Sequence, residues 1–122
     1  MLLISYTIEG DEVKSLRIYR TSSGKEPFRK WLDGLGDGRA ITKVASRVRR
    51  LALGQRGDWG SVGGGVLELR IHYGPGFRVY FAEQEGQLIL LLLGGNKSSQ
   101  RRDIQKARDY WQDYRDRYNE KD

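Results

Sequence analysis

Arg70, His72 and Arg78 lie at even spacings around a Tyr73-Gly74-Pro75-Gly76 connection, and Lys97 follows a pair of glycines further on. Arginine stays charged and can grip two oxygens of a phosphate at once. Histidine, with a free pKa near neutrality, is the natural general acid or base. Lysine adds a compact cation that can also hand over a proton. On one face of the fold, these groups make an anion-binding surface with acid–base capacity.

Whether they share a face depends on the strands that carry them. In VLELRIH, Leu67, Leu69 and Ile71 alternate with Glu68, Arg70 and His72, and in FRVYF, Phe77, Val79 and Phe81 alternate with Arg78 and Tyr80. This period of two predicts two half-buried strands, and the Gly-Pro-Gly connection predicts a tight hairpin between them. Centring that hairpin on Pro75 sets His72 opposite Arg78 and Arg70 opposite Tyr80, with all four on one face. Ala82–Gln87 reads as the next turn, and the unbroken apolar run Leu88–Leu93 as a central strand covered on both sides. Gly94 and Gly95 then let the backbone bend or approach a ligand closely, with Lys97 emerging at the sheet's end.

Upstream, Leu16–Arg20 reads as a strand, and Met1–Ser15 as an extension with a short strand and an acidic turn. Ser23 and Glu26 have capping-box spacing, and Pro27 suits a first helical turn. Phe28, Trp31, Leu32 and Leu35 form one apolar stripe. A second helix is expected over Arg39–Leu53, with Ala40, Ile41, Val44, Ala45, Val48, Leu51 and Ala52 inward and the Arg47, Arg49, Arg50 cluster mainly outward. The helix pair needs a cover, and the apolar side of the sheet supplies one, which leaves the Arg70 and Arg78 side open. Gln55–Val66 is glycine-rich and reads as a loop with room for a short edge strand. Ser98 or Ser99 would cap a last helix whose seam is Ile104, Ala107, Trp111, Tyr114 and Tyr118. The expectation is an α+β fold in which an antiparallel twisted sheet packs on two N-terminal helices, with a C-terminal helix, all within one domain.

Composition narrows the function. The chain has 122 residues and a formal net charge of +6, which favours a polyanionic partner. With no cysteine, disulfides and cysteine-based zinc sites are excluded, and a single histidine rules out multi-histidine metal sites. No cofactor is expected. Met1-Leu2-Leu3-Ile4 is too short for a signal-peptide core and no run reaches membrane-spanning length, so a cytoplasmic location is expected.

LELRIHYGPGFRVYF followed by LLLLGGNKSSQRRDIQKA resembles the RelE/ParE toxin superfamily, and most closely its phage-derived, HigB-like addiction module killer branch. The resemblance runs from about Leu16 to Trp111 and includes RIYRTSSGKEPFRKWLDGL and RVRRLALGQRGDW. It implies a RelE-like sheet on two helices. It also implies a toxin of a type II toxin–antitoxin system that cleaves messenger RNA on the ribosome. Its partners would be a cognate helix-turn-helix antitoxin, the ribosome and mRNA, with operator DNA reached only through the antitoxin. Arg70 matches the basic position closing the ELR strand, Arg78 the arginine of the G-[YF]-R-[LV]-Y strand, and Lys97 the basic position after the glycines. The tyrosine that RelE-type members carry in the first turns of the last helix is absent; that region reads Asp103-Ile104, and Tyr80 or His72 would have to take its place.

Cleavage of RNA through the ribose 2′-hydroxyl needs a base, cations for the charged phosphorane and an acid for the leaving 5′-oxygen. Arg70, His72, Arg78 and Lys97 are the candidate catalytic residues; Tyr80, Arg47, Arg50 and Arg101 are candidate RNA-binding residues. Two other readings compete. Arg70 and Arg78 could simply pair with Glu68 or Glu83, and Arg47, Arg49 and Arg50 could be a solvated helix face. The same fold also serves ParE-like, non-catalytic inhibitors of DNA gyrase, so fold alone does not choose.

Overall fold

The computed structural model describes residues 7–8 and 11–119, with side chains placed for 13–118. Thr7–Ile8 (β1) and Asp11–Glu12 (β2) form a two-rung antiparallel ladder. The rest of the expected N-terminal strand and turn, including Met1-Leu2-Leu3-Ile4 and Glu9-Gly10, lies outside the described residues. There follow β3 (Ser15–Ile18), α1 (Pro27–Asp33), α2 (Gly38–Ala52), β4 (Trp59–Gly63), β5 (Val66–Ile71), β6 (Phe77–Gln84), β7 (Leu88–Asn96), a 3-10 turn (Lys97–Ser99) and α3 (Gln100–Asn119). The fold is α+β, and the larger sheet has the order β3-β7-β6-β5-β4.

That sheet is mixed, which corrects the antiparallel expectation. β4 to β7 pair antiparallel through successive hairpins, but β3 runs parallel to β7, from Ser15 opposite Leu88 to Ile18 opposite Leu91. Two helices and three strands separate β3 from β7, so no hairpin dictates their relative direction. β7 lies between β3 and β6, and its apolar run is explained by cover on both faces: Ile89 and Leu91 face the α1–α2 side, Leu90 and Leu92 the α3 side. Each such fully buried aliphatic side chain stabilises the fold by about 1.5–3 kcal/mol. A register shift between Tyr80 and Phe81, opposite Leu93 and Leu91, keeps both faces apolar here.

The helix pair packs as expected on Leu69, Ile71, Phe77, Val79 and Phe81, with Phe28, Val44, Val48 and Leu51 buried against them. The capping box at α1 is not formed. Glu26 is itself the N-cap residue and caps nothing with its side chain; its carboxylate accepts from Arg29 instead, while Ser23 bonds Thr21. α2 starts at Asp37, which accepts from the Arg39 N–H. The final helix is entered through Asn96, which accepts from the N–H groups of both Ser98 and Ser99.

The largest departure is the second face. α3 covers it: Ala107, Trp111 and Tyr114 are buried against Tyr19, Val66, Tyr80, Ala82, Leu90 and Leu92. The predicted seam is therefore a core contact, although Tyr118 at its end stays 46% exposed. The face carrying Arg70 and Arg78 is open only at the hairpin end of the sheet, beyond the start of α3.

Gly94 and Gly95 are required there by the chain's own side chains. A Cβ on Gly94 would lie 2.0 Å from the Trp31 ring, and one on Gly95 would lie 1.9 Å from the Asp103 carboxylate on the opposite face. The sheet is pinched between α1 and α3 at this point.

Candidate nucleic-acid cleft

The β5–β6 hairpin closes through Gly76 N–H to the Tyr73 carbonyl, with Gly74 and Gly76 both at positive φ, where glycine alone is unstrained. Arg70 stands opposite Arg78, and Glu68 opposite Tyr80. The pairing is thus shifted from the expected one: the connection spans from Ile71 to Phe77, leaving His72 beyond the ladder. The backbone N–H of Lys97 donates to the Gly76 carbonyl at 3.2 Å and brings the end of β7 against the hairpin. The result is a cleft of about 380 Å³ lined by Arg70, His72, the turn, Phe77, Arg78 and Lys97. The four candidate catalytic residues come together here.

Two carboxylates order this cluster. Glu68, buried on the α3 face, accepts from Arg70 Nε (3.0 Å), Gln100 Nε2 (2.8 Å) and Tyr80 Oη (3.2 Å), and its second oxygen lies 3.4 Å from Arg78 Nε. Both arginines pair with Glu68, the geometry that the structural alternative expects. Such a carboxylate is tolerated inside because several donors replace its water. Asp58, just ahead of β4, accepts from Arg70 at 2.9 Å and faces His72 Nε2 at 2.6 Å. The hydrogen bond from His72, then that from Arg70, holds the Asp58 carboxyl below its ordinary value. Asp58 and Glu68 in turn raise the Arg70 guanidinium above its own. An ionised Asp58 can only accept, so the proton between them sits on Nε2, and Nδ1 is left for a ligand. His72 is 76% exposed at the cleft mouth, whereas the Arg78 side chain is only 14% exposed.

The other four candidates are not at the cleft. Tyr80 is wholly enclosed between the sheet and α3, and burial, then the Glu68 charge, raises its phenol well above the ordinary value. This corrects its placement on an open face: a base cannot stack on a ring covered by Ala107 and its neighbours. Arg47 is committed inward. Its guanidinium donates to the carbonyls of Arg56 (2.9 Å), Asp58 and Arg70 (both 3.4 Å). It lies so close to Gly57 that a Cβ there would meet it at 2.8 Å. Burial, then the neighbouring Arg50 charge, lowers its pKa. Arg50 and Arg101 are exposed on α2 and the start of α3. Among the described residues no group of three or more His, Asp or Glu could hold a metal ion.

Residues 30–112, more than half of the chain, match the family described as "Phage derived protein Gp49-like (DUF891)". The chain belongs to this Gp49-like family. The family falls in the RelE toxin group. A relative from Haemophilus influenzae (strain Rd), described as an uncharacterized protein, is 47% identical over 81 residues, 66% of this chain and 82% of the relative. The family match over residues 30–112 takes in the whole cleft, from Asp58 through Lys97, and Gln100. No helix among the described residues is long and apolar enough to cross a membrane.

Two members of the cluster, Asp58 and Gln100, are not singled out from sequence, and Glu68 appears there only as a possible pairing partner of the arginines. Glu68 carried a signal, since it alternates in phase with Arg70. Asp58 sits in an irregular, glycine-rich stretch, and Gln100 comes from a different element. Nothing local marks either as a partner of the hairpin.

Proposed function

We propose that this protein is the toxin of a toxin–antitoxin pair and a ribosome-dependent endoribonuclease that cuts messenger RNA through the ribose 2′-hydroxyl. The observation that carries the reading is the convergence of Arg70, His72, Arg78 and Lys97 on one cleft, with an imidazole held by a carboxylate at its mouth. Membership of a family associated with endoribonuclease-like toxins supports it. The RelE-like arrangement and the HigB-like branch belong to this same proposal.

In the proposed reaction the His72 Nδ1 takes the proton from the 2′-hydroxyl, with Asp58 holding the ring and stabilising the imidazolium. The 2′-oxygen attacks phosphorus. Arg78, with Arg70 behind it, meets the charge that grows on the non-bridging oxygens. Glu68 keeps the two guanidiniums close despite their repulsion. Lys97 delivers a proton to the departing 5′-oxygen. The products are a 2′,3′-cyclic phosphate and a 5′-hydroxyl. A cognate helix-turn-helix antitoxin would neutralise the protein in the cytoplasm, and the ribosome would present the message.

The test is to map message 5′ ends after brief induction, beside Arg78→Ala. In-frame cuts that disappear in the variant support the proposal. Broken chromosomes with intact messages would favour the ParE-like, gyrase-directed alternative.

A further inference from the structure

A second groove, of about 540 Å³, lies between α1 and α3 across the end of β7. Its floor is Leu93 and Gly94. β3 leaves β7 after Ile18 and Leu91, so no strand of the described residues flanks this part of the edge. Lys25, Lys30 and Lys106 reach it from three separate places: the turn before α1, α1 itself, and α3. All three are exposed, and none forms an ion pair among the described residues. The acid in the lining, Glu26, is already bound to Arg29 at 2.8 Å. Unpaired like charges collected in one concavity repel one another, an arrangement that is relieved by a polyanion.

The walls are aromatic and rigid. Tyr110 stacks on Tyr19 at 5.0 Å, and Trp31 packs edge-on against Phe77 at 6.0 Å. Phe77 also lines the catalytic cleft, so Trp31 and Phe77 form the partition between groove and cleft. Along β7, Gly94 is three residues from Lys97, roughly 10 Å of extended chain. Cations beside fixed aromatic faces are the combination that tracks single-stranded nucleic acid.

We propose that this groove is a second contact for single-stranded RNA, holding phosphates of the message strand that leaves the cleft. The inference rests on the nuclease reading for its direction, and its test does not require catalysis. Each phosphate neutralised on a single strand contributes about 0.7 to the slope of log affinity against log salt. Three lysines therefore contribute about 2.

The experiment measures binding of a short fluorescein-labelled oligouridylate across a salt series, in a His72→Ala background that prevents cleavage. The combined variant Lys25→Gln, Lys30→Gln, Lys106→Gln is expected to lower the slope by about 2 with an unchanged thermal midpoint. Removing charge from α2, through Arg39→Gln and Arg49→Gln, is expected to leave it nearly unchanged. Equal loss in both variants would mean that net charge alone acts, and would overturn the proposal. An unaltered slope in the groove variant would overturn it and leave the cleft reading standing. A lowered slope in the groove variant, together with a parent protein that retains His72 yet cuts no message, would keep the groove and remove the nuclease.

Discussion

His72→Ala separates chemistry from architecture more cleanly than any other change at the cleft. The imidazole is 76% exposed, packs in neither core, and among the described residues has one polar partner, Asp58 at 2.6 Å. Asp58 keeps its bond to Arg70 at 2.9 Å when the ring is gone, so neither its position nor the hairpin register depends on His72. The thermal midpoint should therefore hold. General acid–base catalysis by a placed side chain contributes about 10²- to 10⁴-fold in rate, or roughly 3–5 kcal/mol of barrier. Loss on that scale should turn growth arrest on induction into near-normal growth, and should remove message cuts in a translating extract. Asp58→Asn should lose activity to a smaller degree, because the ring remains but its tautomer and aim are no longer set. Message cleavage in His72→Ala within a few-fold of the parent would refute the assignment and move the proton transfer to another group.

Gly94→Ala forces a Cβ to within 2.0 Å of the Trp31 ring, and overpacking of this kind costs about 1–3 kcal/mol; a lowered unfolding midpoint in denaturant checks it. Arg47→Ala strips a charged donor from three carbonyls; the 2.9 Å bond to Arg56 is worth about 1.5–3 kcal/mol and the two longer contacts less. Faster hydrogen exchange around Asp58 and Arg70, with weakened cleavage, is expected, while Arg50→Ala should leave both intact. Burial opposes ionisation of Glu83, but the Lys14 bond at 2.6 Å and the Arg56 contact prevail and its pKa is lowered. A lowered folded pKa means stability that is present above the ordinary glutamate value of 4.5 and lost as pH falls through the folded value. Glu83→Gln should flatten that acid limb in thermal melts across pH and leave the basal side of the profile with a uniform offset.

Much of the site was legible because its signals are local. Alternation put Arg70 and Arg78 on the same face, and the glycines around Pro75 announced the hairpin. The unbroken run Leu88–Leu93 announced a strand buried on both sides. The same alternation placed Tyr80 with the arginines, yet it is sealed in and they reach the cleft. Periodicity assigns a face; it does not say how far along that face a helix from elsewhere extends. The turn shows the limit at smaller scale, since equal parity allows Arg70 to face either Tyr80 or Arg78, and only the closing bonds at Tyr73, Gly76 and Lys97 choose between them.

The chain's own order of residues determined the elements, the two apolar faces, the basic surplus and the candidate cations, because each depends on neighbours within a few positions. Tertiary structure decided which carboxylates restrain those cations, that β3 runs parallel to β7, and that α3 closes all but one end of the polar face. These are contacts between segments far apart in the chain, selected by mutual burial and charge compensation, and no local spacing encodes them.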